Sequence, residues 1–522
     1  MRKPATAKNP GRQTIAGSDT KGAPVLGWNA EDPQYAVRDG EAIILDNWFP
    51  RKSYLETRPG NAAHYGGFAL PVETVMAYHG NTVAGNKLFA ATDGGVWDAT
   101  AAGSAGASVA TITNGRMQHT VFSTQAGNFL VAVNGTDLLQ IYNGIAWQAV
   151  SAVSVPIAIT GLVTSTFVHV NAYKRRLFFV IKDKLSFAYL PPATLGGAAA
   201  EFPLEGIFKK GGYLMAMGTW TLDAGNGSDD HAVFITSEGE VAVYTGTDPG
   251  VAANWSLVGV FALAKPISRR CMCQLGGDLL LVLRDGIYPV SAALLSSSIS
   301  RQIAITKKVD NAWQNSAKLY QGSFGWCAYV FKEAPFLLCN VPGLTSVDSV
   351  QYVMNTTTKA WTRFTGIGGV DFAVLGTELY MCRGREVCKM WTGTSDFNQD
   401  ITFRSKAGFS NFGYQGNIKQ WTTLRPVVEF SGVADLLVGI DTDFKEEDLS
   451  GTVTPVVDPS SIYDIGLWDT GIWGGESFLS QGWITVSAEP GYYGATKLQF
   501  TSSTITARWF VTNYIFQVGG LM

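Results

Sequence analysis

The sequence predicts an all-β protein whose main part is a β-propeller of six blades, with seven as the alternative. A C-terminal β domain and an extended N-terminal arm complete the prediction. Short β-type runs separated by tight turns recur along most of the chain, and their spacing returns to values in the forties. The composition is rich in glycine (58 residues) and aromatic residues (12%) and poor in charge (16%). Propeller blades are four-stranded repeats of about 40–50 residues, built from short strands and tight turns of this kind.

The N-terminal part of the chain lacks the repeating pattern. Residues 1–30 are polar and without a hydrophobic period, so we expect a flexible N-terminal arm. Residues 31–75 are rich in proline and aromatic residues, and we expect them to pack on the propeller from outside the ring. The propeller itself is predicted over residues 76–398.

The repeating unit is a β-hairpin whose turn contains Asp-Gly, Asn-Gly, Glu-Gly or a polar equivalent, the residues that a tight turn with positive φ needs. Its examples are Lys87–Thr100, Asn128–Trp147, Arg175–Leu190, His231–Gly246, Gly277–Ser291, Ser349–Gly366 and Gly376–Gly393. The first strands begin near Leu88, Leu130, Leu177, Val233, Leu280, Tyr352 and Leu379. The first four intervals are 42, 47, 56 and 47 residues. A row of β-sandwich domains is the alternative, but it does not predict a recurring interval.

One stretch shows four consecutive strands. WCAYVF, PFLLCNV, SVQYVMN and AWTRF follow one another between Trp326 and Phe364. The long interval before them contains the chain's best helical pattern, Asp310–Tyr320. We therefore predict a helical insertion between blades, near residues 300–325.

The sequence pattern changes past residue 398, where the strand-like runs lengthen and the blade interval disappears. We expect a separate C-terminal β domain over residues 399–522. An acidic run, Asp441–Asp448, and a Gly/Trp-rich segment, Gly466–Trp483, lie between its strands. Dense charge favours solvent, so the acidic run is predicted to be an exposed loop.

The charge balance argues against a protein that grips nucleic acid. Lys and Arg number 39 against 42 Asp and Glu, which gives a net charge of −3 and no basic excess for phosphate contacts. Few charges together with many aromatic residues favour burial of surface against other chains, with one very large monomeric core as the alternative. The strongest apolar run, Leu279–Leu283, is far shorter than the roughly 20 residues of a membrane span. No apolar secretory signal follows Met1.

The six cysteines form no C-x-x-C pair and have no histidine at zinc-finger spacing: Cys271, Cys273, Cys327, Cys339, Cys382 and Cys388. We predict reduced, structural thiols of a protein made in a cytoplasm. A disulfide is the alternative, and Cys327–Cys339 is the first pair to test.

Catalytic motifs are missing from the sequence. It contains no G-x-x-x-x-G-K-[ST], no G-x-S-x-G and no H-E-x-x-H. The acidic stretch Asp223–His231 could offer oxygen ligands to Ca²⁺, but it lacks the EF-hand order and is predicted to be a solvated turn. We therefore predict no catalytic, cofactor-binding or metal-binding residues, no cofactor and no enzymatic activity. The histidines are scattered and expected to be ordinary core or surface residues: His64, His79, His119, His169 and His231.

Basic residues cluster only as short groups: Lys174–Arg176, Lys209–Lys210, Arg269–Arg270 and Lys307–Lys308. They are evenly spread and balanced by acids, so we expect them at solvated strand ends. An inward-facing ring of positive charge, created only when copies assemble, is the alternative.

Several segments resemble a family of bacteriophage structural proteins. They are LDNWFPR (Leu45–Arg51), ETRPG (Glu56–Gly60), VHVNAYKRRLFFV (Val168–Val180), VFITSEGEVAVYTGTDP (Val233–Pro249), WSLVGVF (Trp255–Phe261) and QYVMNTTTKAWTRFTG (Gln351–Gly366). On these, the chain from about residue 25 to its end resembles the tail nozzle or tail hub of short-tailed phages, also described as packaged-DNA stabilisation protein or tail tubular protein B. The motifs are architectural rather than catalytic.

The resemblance implies a virion tail protein, synthesised in the bacterial host cytoplasm, that forms a homo-oligomeric ring of about six copies. The ring would lie below the portal and its adaptor, the head-to-tail connector. There it would extend the DNA exit channel, help retain packaged DNA and support tail fibres or spikes. Genomic DNA would pass through the lumen without sequence-specific contact, which suits the near-neutral charge. The alternatives are a phage propeller that binds or cleaves host surface polysaccharide and a secreted cellular propeller domain.

Overall fold

The structure is a computed structural model that describes residues 15–221, 230–295, 301–345, 347–449, 451–453, 478–480 and 482–519. Almost all regular structure in these ranges is β-strand, as the sequence predicts. The chain forms two compact units. The first takes the described residues up to 59, residues 358–363 and the described residues from 398 onward. The second takes residues 60–357 and 364–397.

Five strands of the first unit open the described chain: β1 (Ile15–Gly22), β2 (Gly27–Trp28), β3 (Glu41–Asp46), β4 (Trp48–Pro50) and β5 (Leu55–Thr57). The second unit begins with β6 (Asn61–Gly66) and continues through a series of small antiparallel sheets, here called blades. Each blade starts with an inner strand and proceeds outward by hairpins.

The first four blades run as follows. Blade 1 is β7 (Val72–Tyr78), β8 (Lys87–Thr92) and β9 (Gly95–Asp98), and a short strand, β10 (Gly103–Ser104), follows it. Blade 2 is β11 (Gln118–Thr124), β12 (Gly127–Val133), β13 (Leu139–Tyr142) and β14 (Trp147–Val150). After β15 (Ile159–Thr160), blade 3 is β16 (Phe167–Tyr173), β17 (Arg176–Ile181), β18 (Ser186–Tyr189) and, beyond β19 (Gly197–Ala198), β20 (Ala200–Pro203). Blade 4 is β21 (Leu214–Thr221), β22 (Asp230–Thr236), β23 (Glu240–Gly246) and β24 (Trp255–Ala262).

Three further blades follow. Blade 5 is β25 (Met272–Leu275), β26 (Asp278–Leu283) and β27 (Gly286–Pro289). Two helices come next, α1 (Val290–Leu295) and α2 (Asp310–Tyr320), and α2 covers the residues that carry the helical pattern. Blade 6 contains β28 (Cys327–Phe331), β29 (Phe336–Val341) and β30 (Val350–Asn355), followed by β31 (Trp361–Phe364), which lies largely in the first unit. Blade 7 contains β32 (Asp371–Leu375), β33 (Glu378–Arg383) and β34 (Glu386–Met390).

The ring closes through a strand from the start of the unit. β6 precedes blade 1 in the chain, yet it pairs antiparallel with β34 and supplies the fourth strand of blade 7, with the short β10 on its other edge. The backbone N–H of Val75 on β7 also donates to Asp371 on β32, at 3.0 Å. Because the two chain ends of the ring share one sheet, opening the ring would break a hydrogen-bonded strand pair. The described residues thus form a β-propeller of seven blades, the alternative to the six that the sequence favours.

Small apolar cores lie between successive blades rather than in one central mass. Between blades 3 and 4, Phe187 stacks on Phe234 with ring centroids 4.6 Å apart, and Tyr244 stacks on Trp255 at 5.1 Å. Between blades 2 and 3, Phe179 is one of the buried rings of the next cluster. Truncating one such aromatic side chain to alanine costs about 3–5 kcal/mol, so the blades are held by their neighbours.

The predicted turns adopt the backbone that their residues favour. Gly239, between β22 and β23, has φ +81°, and a Cβ there would lie 2.4 Å from the carbonyl oxygen of Ala264. Lys174 and Arg175, between β16 and β17, both have positive φ, at +41° and +63°. Such turns match the twist of the flanking strands.

The remaining strands complete the first unit: β35 (Ile401–Ala407), β36 (Lys419–Phe430), β37 (Leu436–Thr442), β38 (Gly451–Val453), β39 (Phe478–Ser480), β40 (Ile484–Thr485), β41 (Gly494–Ser502) and β42 (Ala507–Val518). One sheet has the order β39-β36-β42-β5-β4, with β1 also on β42. The other contains β2-β3-β35-β41-β37-β38. The buried indole of Trp48 lies 5.6 Å from Phe500 and 6.4 Å from Trp509, which joins the two sheets face to face.

These pairings correct three predicted boundaries. Strand β1 lies within the predicted arm 1–30, of which residues 1–14 are outside the described residues. Strand β6 and the first half of β7 lie in the predicted external segment 31–75, so the propeller unit begins at residue 60 rather than 76. The predicted C-terminal domain 399–522 shares its sheets with the N-terminal strands β1 to β5. Each correction concerns pairing between strands that are far apart in sequence, which local patterns do not encode.

Candidate functional site

The inner strands of the propeller surround a polar cavity of about 490 Å³ on the ring axis. Its walls come from β11, β16, β21, β25, β28 and β32 and the loop before β25. A second cavity of about 320 Å³ shares Gln118, Arg269 and Arg270 with it. This second cavity extends to Gln321 and Gly322, which are exposed, so the axis is reached from the surface at the loop before blade 6.

Arg270, in the loop before β25, contacts residues of several blades at this axis. Its guanidinium donates to Thr74 Oγ1 at 2.8 Å in blade 1 and to the carbonyl oxygen of Met117 at 3.2 Å, just before blade 2. It also lies 3.1 Å from a carboxylate oxygen of Asp371 in blade 7, and both side chains are nearly buried. Burial raises the pKa of Asp371, and the Arg270 charge opposes that rise. The side chain of Arg270 therefore links blade 1, blade 7 and the segment before blade 2.

Two of the five histidines line the axial cavity, a shared position that the sequence-based prediction missed. His119 on β11 and His169 on β16 both line the larger cavity. Burial lowers the pKa of His119 to about 4, with a smaller contribution from Arg270. Burial lowers the pKa of His169 to about 3, with a smaller contribution from Arg269, so both rings are neutral at pH 7. Their separation by about one blade interval was the signal that could have paired them.

The other three histidines line neither of the two axial cavities. The Nε2 atom of His64 lies 2.9 Å from the carbonyl oxygen of Ala99. His231 packs on Trp220 with ring centroids 5.3 Å apart, and His79 is exposed.

All six cysteines are buried and free, which agrees with the prediction of structural thiols. Cys327 lies on β28 and Cys339 on β29, and the two form no disulfide. Burial raises the pKa of Cys271 and of Cys273 to about 12. Neither thiol is therefore a nucleophile at neutral pH.

The acidic run is only partly the exposed loop that the sequence predicts. Asp441 lies near the end of β37 with its side chain fully buried, 2.5 Å from Lys406 Nζ and 2.6 Å from Lys497 Nζ. Asp443 accepts the backbone N–H groups of Tyr492 and Tyr493. The prediction of exposure is wrong for Asp441 because a local charge count does not reveal two lysines on neighbouring strands.

The other predicted acidic candidate, the stretch 223–231, lies largely outside the described residues, which resume at Asp230. In the described part of the chain, no three His, Cys, Asp or Glu side chains come together in a way that could hold a metal ion. No helix among the described residues is long and apolar enough to cross a membrane.

The basic groups differ in their surroundings. Arg269 and Arg270 line the axis rather than a solvated strand end, which corrects the expectation for that pair. The backbone N–H groups of Lys209 and Lys210 donate to the carboxylate of Glu240. Lys174–Arg176 lie at the turn between β16 and β17, where strand ends were expected. Lys307–Lys308 lie half-buried in a short 3₁₀ turn before α2, so the expectation of a strand end is wrong for that pair.

Two of the segments that carry the family resemblance, residues 45–51 and 351–366, contact each other through structural hydrogen bonds. In the first unit, Arg363 forms a two-pronged ion pair with Asp46 at 2.7 and 2.9 Å. The Thr362 hydroxyl lies 3.0 Å from the carbonyl oxygen of Leu45 and 2.5 Å from that of Trp48. The segments near residues 45–51 and 351–366 thus fix each other's backbone.

Blade 4 ends in an edge strand with exposed apolar side chains. Within the described residues, β24 pairs only with β23. Leu257, Val258 and Val260 on this strand are 42%, 53% and 37% exposed, and the strand carries no charged residue. Edge strands of monomeric proteins are usually protected by charges, prolines or bulges. The pairing of β24 with β23 shifts register at Val258, but the strand has neither a charge nor a proline. This edge is therefore a candidate contact surface.

No family model and no curated protein matches the chain. Among solved structures, Sqt1 of Saccharomyces cerevisiae has 12% identity and a TM-score of 0.38, and the match covers 64% of this chain and 98% of that one. The β-propeller domain of Cps50 (Swd1) from Myceliophteria thermophila has 9% identity and a TM-score of 0.37, over 62% and 97%. BamB from Moraxella catarrhalis has 11% identity and a TM-score of 0.30, over 59% and 91%. The propeller assignment rests on the strand pairings described above.

Proposed function

We propose that this chain is a non-enzymatic structural component of a short-tailed phage tail. It forms an oligomeric nozzle or hub ring below the portal–adaptor complex, extends the DNA exit channel, helps retain packaged DNA and supports fibres or spikes. The observation that carries the proposal is the set of segments resembling that family, spread from Leu45 to Gly366. The all-β fold with a propeller agrees with what that resemblance implies.

The contacts of these segments support a structural rather than a catalytic role. Within the first unit, Arg363 forms an ion pair with Asp46, and the Thr362 hydroxyl donates to backbone carbonyl oxygens of the segment 45–51. Trp48 and Phe49 of that segment are fully buried. Residues of this kind hold strands in place. They present no nucleophile, general base or oxyanion donor to a substrate.

The exposed edge of blade 4 is the surface that we assign to a neighbouring copy. It belongs to a family-like segment, Trp255–Phe261, and combines unpaired edge backbone groups with three exposed apolar side chains, Leu257, Val258 and Val260. The register shift at Val258 divides this edge into two short stretches. Association through such a surface buries apolar area without requiring charge pairs, which suits a chain with few charges. A repeated head-to-tail contact generates a ring when its rotation closes.

The charge balance supports a conduit that DNA can slide through. Affinity for DNA falls with salt in proportion to the number of phosphates that Lys and Arg neutralise. A chain with 39 basic and 42 acidic residues provides no general basic excess. We therefore expect no stable complex between the purified protein and duplex DNA at physiological salt.

The experiment measures the mass of the purified full chain by light scattering after size exclusion, alone and with the phage's adaptor protein. The proposal expects closed rings in one of the two samples. Val258→Lys on the blade 4 edge should weaken assembly, whereas Leu319→Lys, which charges an exposed apolar residue on α2, should not. A protein that stays monomeric in both samples, or one that cleaves host polysaccharide, contradicts the proposal.

A further inference from the structure

The axial cavity contains one more positive charge than its contacts balance. Three arginines reach the two joined cavities. Arg270 is paired with Asp371 at 3.1 Å, and Arg116 is paired with Glu73 at 2.9 Å. Within the described residues, Arg269 forms no ion pair with a carboxylate.

The direct contacts of Arg269 among the described residues are with uncharged groups. Its Nη1 atom donates to the carbonyl oxygen of Met215 at 3.3 Å, and its guanidinium lies over the ring of Tyr213 at 5.6 Å. Asp183 acts on it electrostatically only from beyond ion-pair distance. Burial lowers the pKa of Arg269 from its usual value, which reflects the cost of keeping this charge away from water. Buried charges in proteins are ordinarily paired.

A second group at the same place also lacks a partner. The Nδ1 atom of His169 is buried and has no hydrogen-bond partner among the described residues. His169 lines the larger cavity together with Arg269, and its ring is neutral at pH 7. A neutral imidazole carries one N–H, and at Nδ1 that N–H can donate to an acceptor in the cavity. Gln118 lines both cavities and offers an amide close to the same space.

We propose that the axial cavity binds a small organic acid or phosphate ester whose oxyanion pairs with Arg269 and accepts a hydrogen bond from His169. A guanidinium provides two parallel N–H donors that match a carboxylate or a phosphate. A volume of about 490 Å³ accommodates a ligand considerably larger than the oxyanion itself. Asp371 does not compete for Arg269, because Arg270 and the backbone N–H of Val75 occupy its carboxylate oxygens.

Entry to the site is available from one face of the propeller. The smaller cavity connects the surface at Gln321 and Gly322 with Arg269. The ring of Phe324 lies in this passage, with the Arg116 guanidinium 4.5 Å and the Arg270 guanidinium 5.0 Å from its centroid. The proposed site is independent of the tail function, since it lies inside a single propeller.

The test is calorimetric titration of the full chain with sodium phosphate, sodium acetate and sodium citrate, with ionic strength held constant by sodium chloride. At least one probe should bind saturably, with one ligand per chain. Preference for phosphate identifies a phosphate ester as the ligand class, and preference for acetate or citrate identifies an organic acid. Arg269→Met should weaken binding by about ten- to a hundredfold, because it removes a charge-assisted pair of hydrogen bonds. Arg175→Met, which removes an exposed arginine from a turn of the same propeller, should leave binding unchanged.

A measurement on the unaltered protein covers the case in which Arg269→Met fails to fold. Addition of the bound probe should shift the NMR signals of the His169 ring and leave those of His64 in place. Absence of binding by all three probes up to about 50 mM overturns the proposal. Equal binding by Arg269→Met, or unmoved His169 signals at saturation, overturns it as well.

Discussion

Replacing Arg270 with methionine should destabilise the propeller. The substitution leaves Asp371 as a buried carboxylate without its cation and removes the donor to Thr74 and Met117. Breaking a buried pair in this way costs about 3–5 kcal/mol. For a unit of about 330 residues, with an unfolding entropy of about 2.1 cal/mol/K per residue, this lowers Tm by about 4–7 °C.

The penalty should depend on pH with a definite sign. Burial raises the folded-state pKa of Asp371, and Arg270 opposes that rise, so its removal raises the pKa further. A carboxyl group with a raised folded pKa contributes stability below its unfolded pKa, and that contribution is lost as pH rises through the folded pKa. The Arg270→Met penalty is therefore larger at about pH 8 than at about pH 5.

Thermal unfolding followed by calorimetry, for the native chain, Arg270→Met, Asp371→Asn and the double variant, measures this effect. The double variant should lose less than the sum of the two single losses, because the unpaired charge is absent. Arg175→Met serves as the control and should change stability by less than about 0.5 kcal/mol. A Tm for Arg270→Met equal to that of the native chain, or a penalty that does not change with pH, refutes the claim that Arg270 stabilises the propeller by linking its blades.

Three further predictions concern other parts of the molecule. Asp441→Asn should destabilise the first unit by about 3–5 kcal/mol in denaturant unfolding, because Lys406 and Lys497 lose their shared carboxylate; a loss below about 1 kcal/mol contradicts the buried triad. Trp255→Ala should cost about 3–5 kcal/mol through the cavity left between blades 3 and 4, and an unchanged Tm argues against that core. Iodoacetamide at about pH 8 should leave all six thiols unmodified in the native chain by mass spectrometry and alkylate them after unfolding, because burial raises the pKa of Cys271 to about 12; rapid native labelling contradicts this.

The blades could be predicted because their information is local. A hairpin such as β22–β23 needs two β-type runs and a turn residue such as Gly239, and all of these are neighbours in the sequence. Helix α2 is likewise evident from its own pattern. The closure of the ring by β6 and the pairing of β1 with β42 join strands from distant parts of the sequence, so no local window contains them.

The axial residues could not be predicted for a related reason. In the sequence, Arg269 and Arg270 look like an ordinary basic pair, and nothing in the local sequence relates His119 to His169. Their common position follows from the ring, which places the inner strands of different blades around one axis. Aligning the inner strands by the blade interval could have placed the two histidines at similar positions. The two arginines precede the inner strand of blade 5, so such an alignment of strands would not have included them.

The central claim, that this chain assembles into a tail ring, is tested most directly by electron microscopy. The specimens are the purified full chain, with the adaptor protein that the proposal assigns to it, and virions of the proposed source phage. The account predicts closed rings of about six copies, with a seven-bladed propeller in each subunit and a matching density below the portal. Single unassembled propellers in the purified sample, together with virions that lack the chain by mass spectrometry, would contradict it.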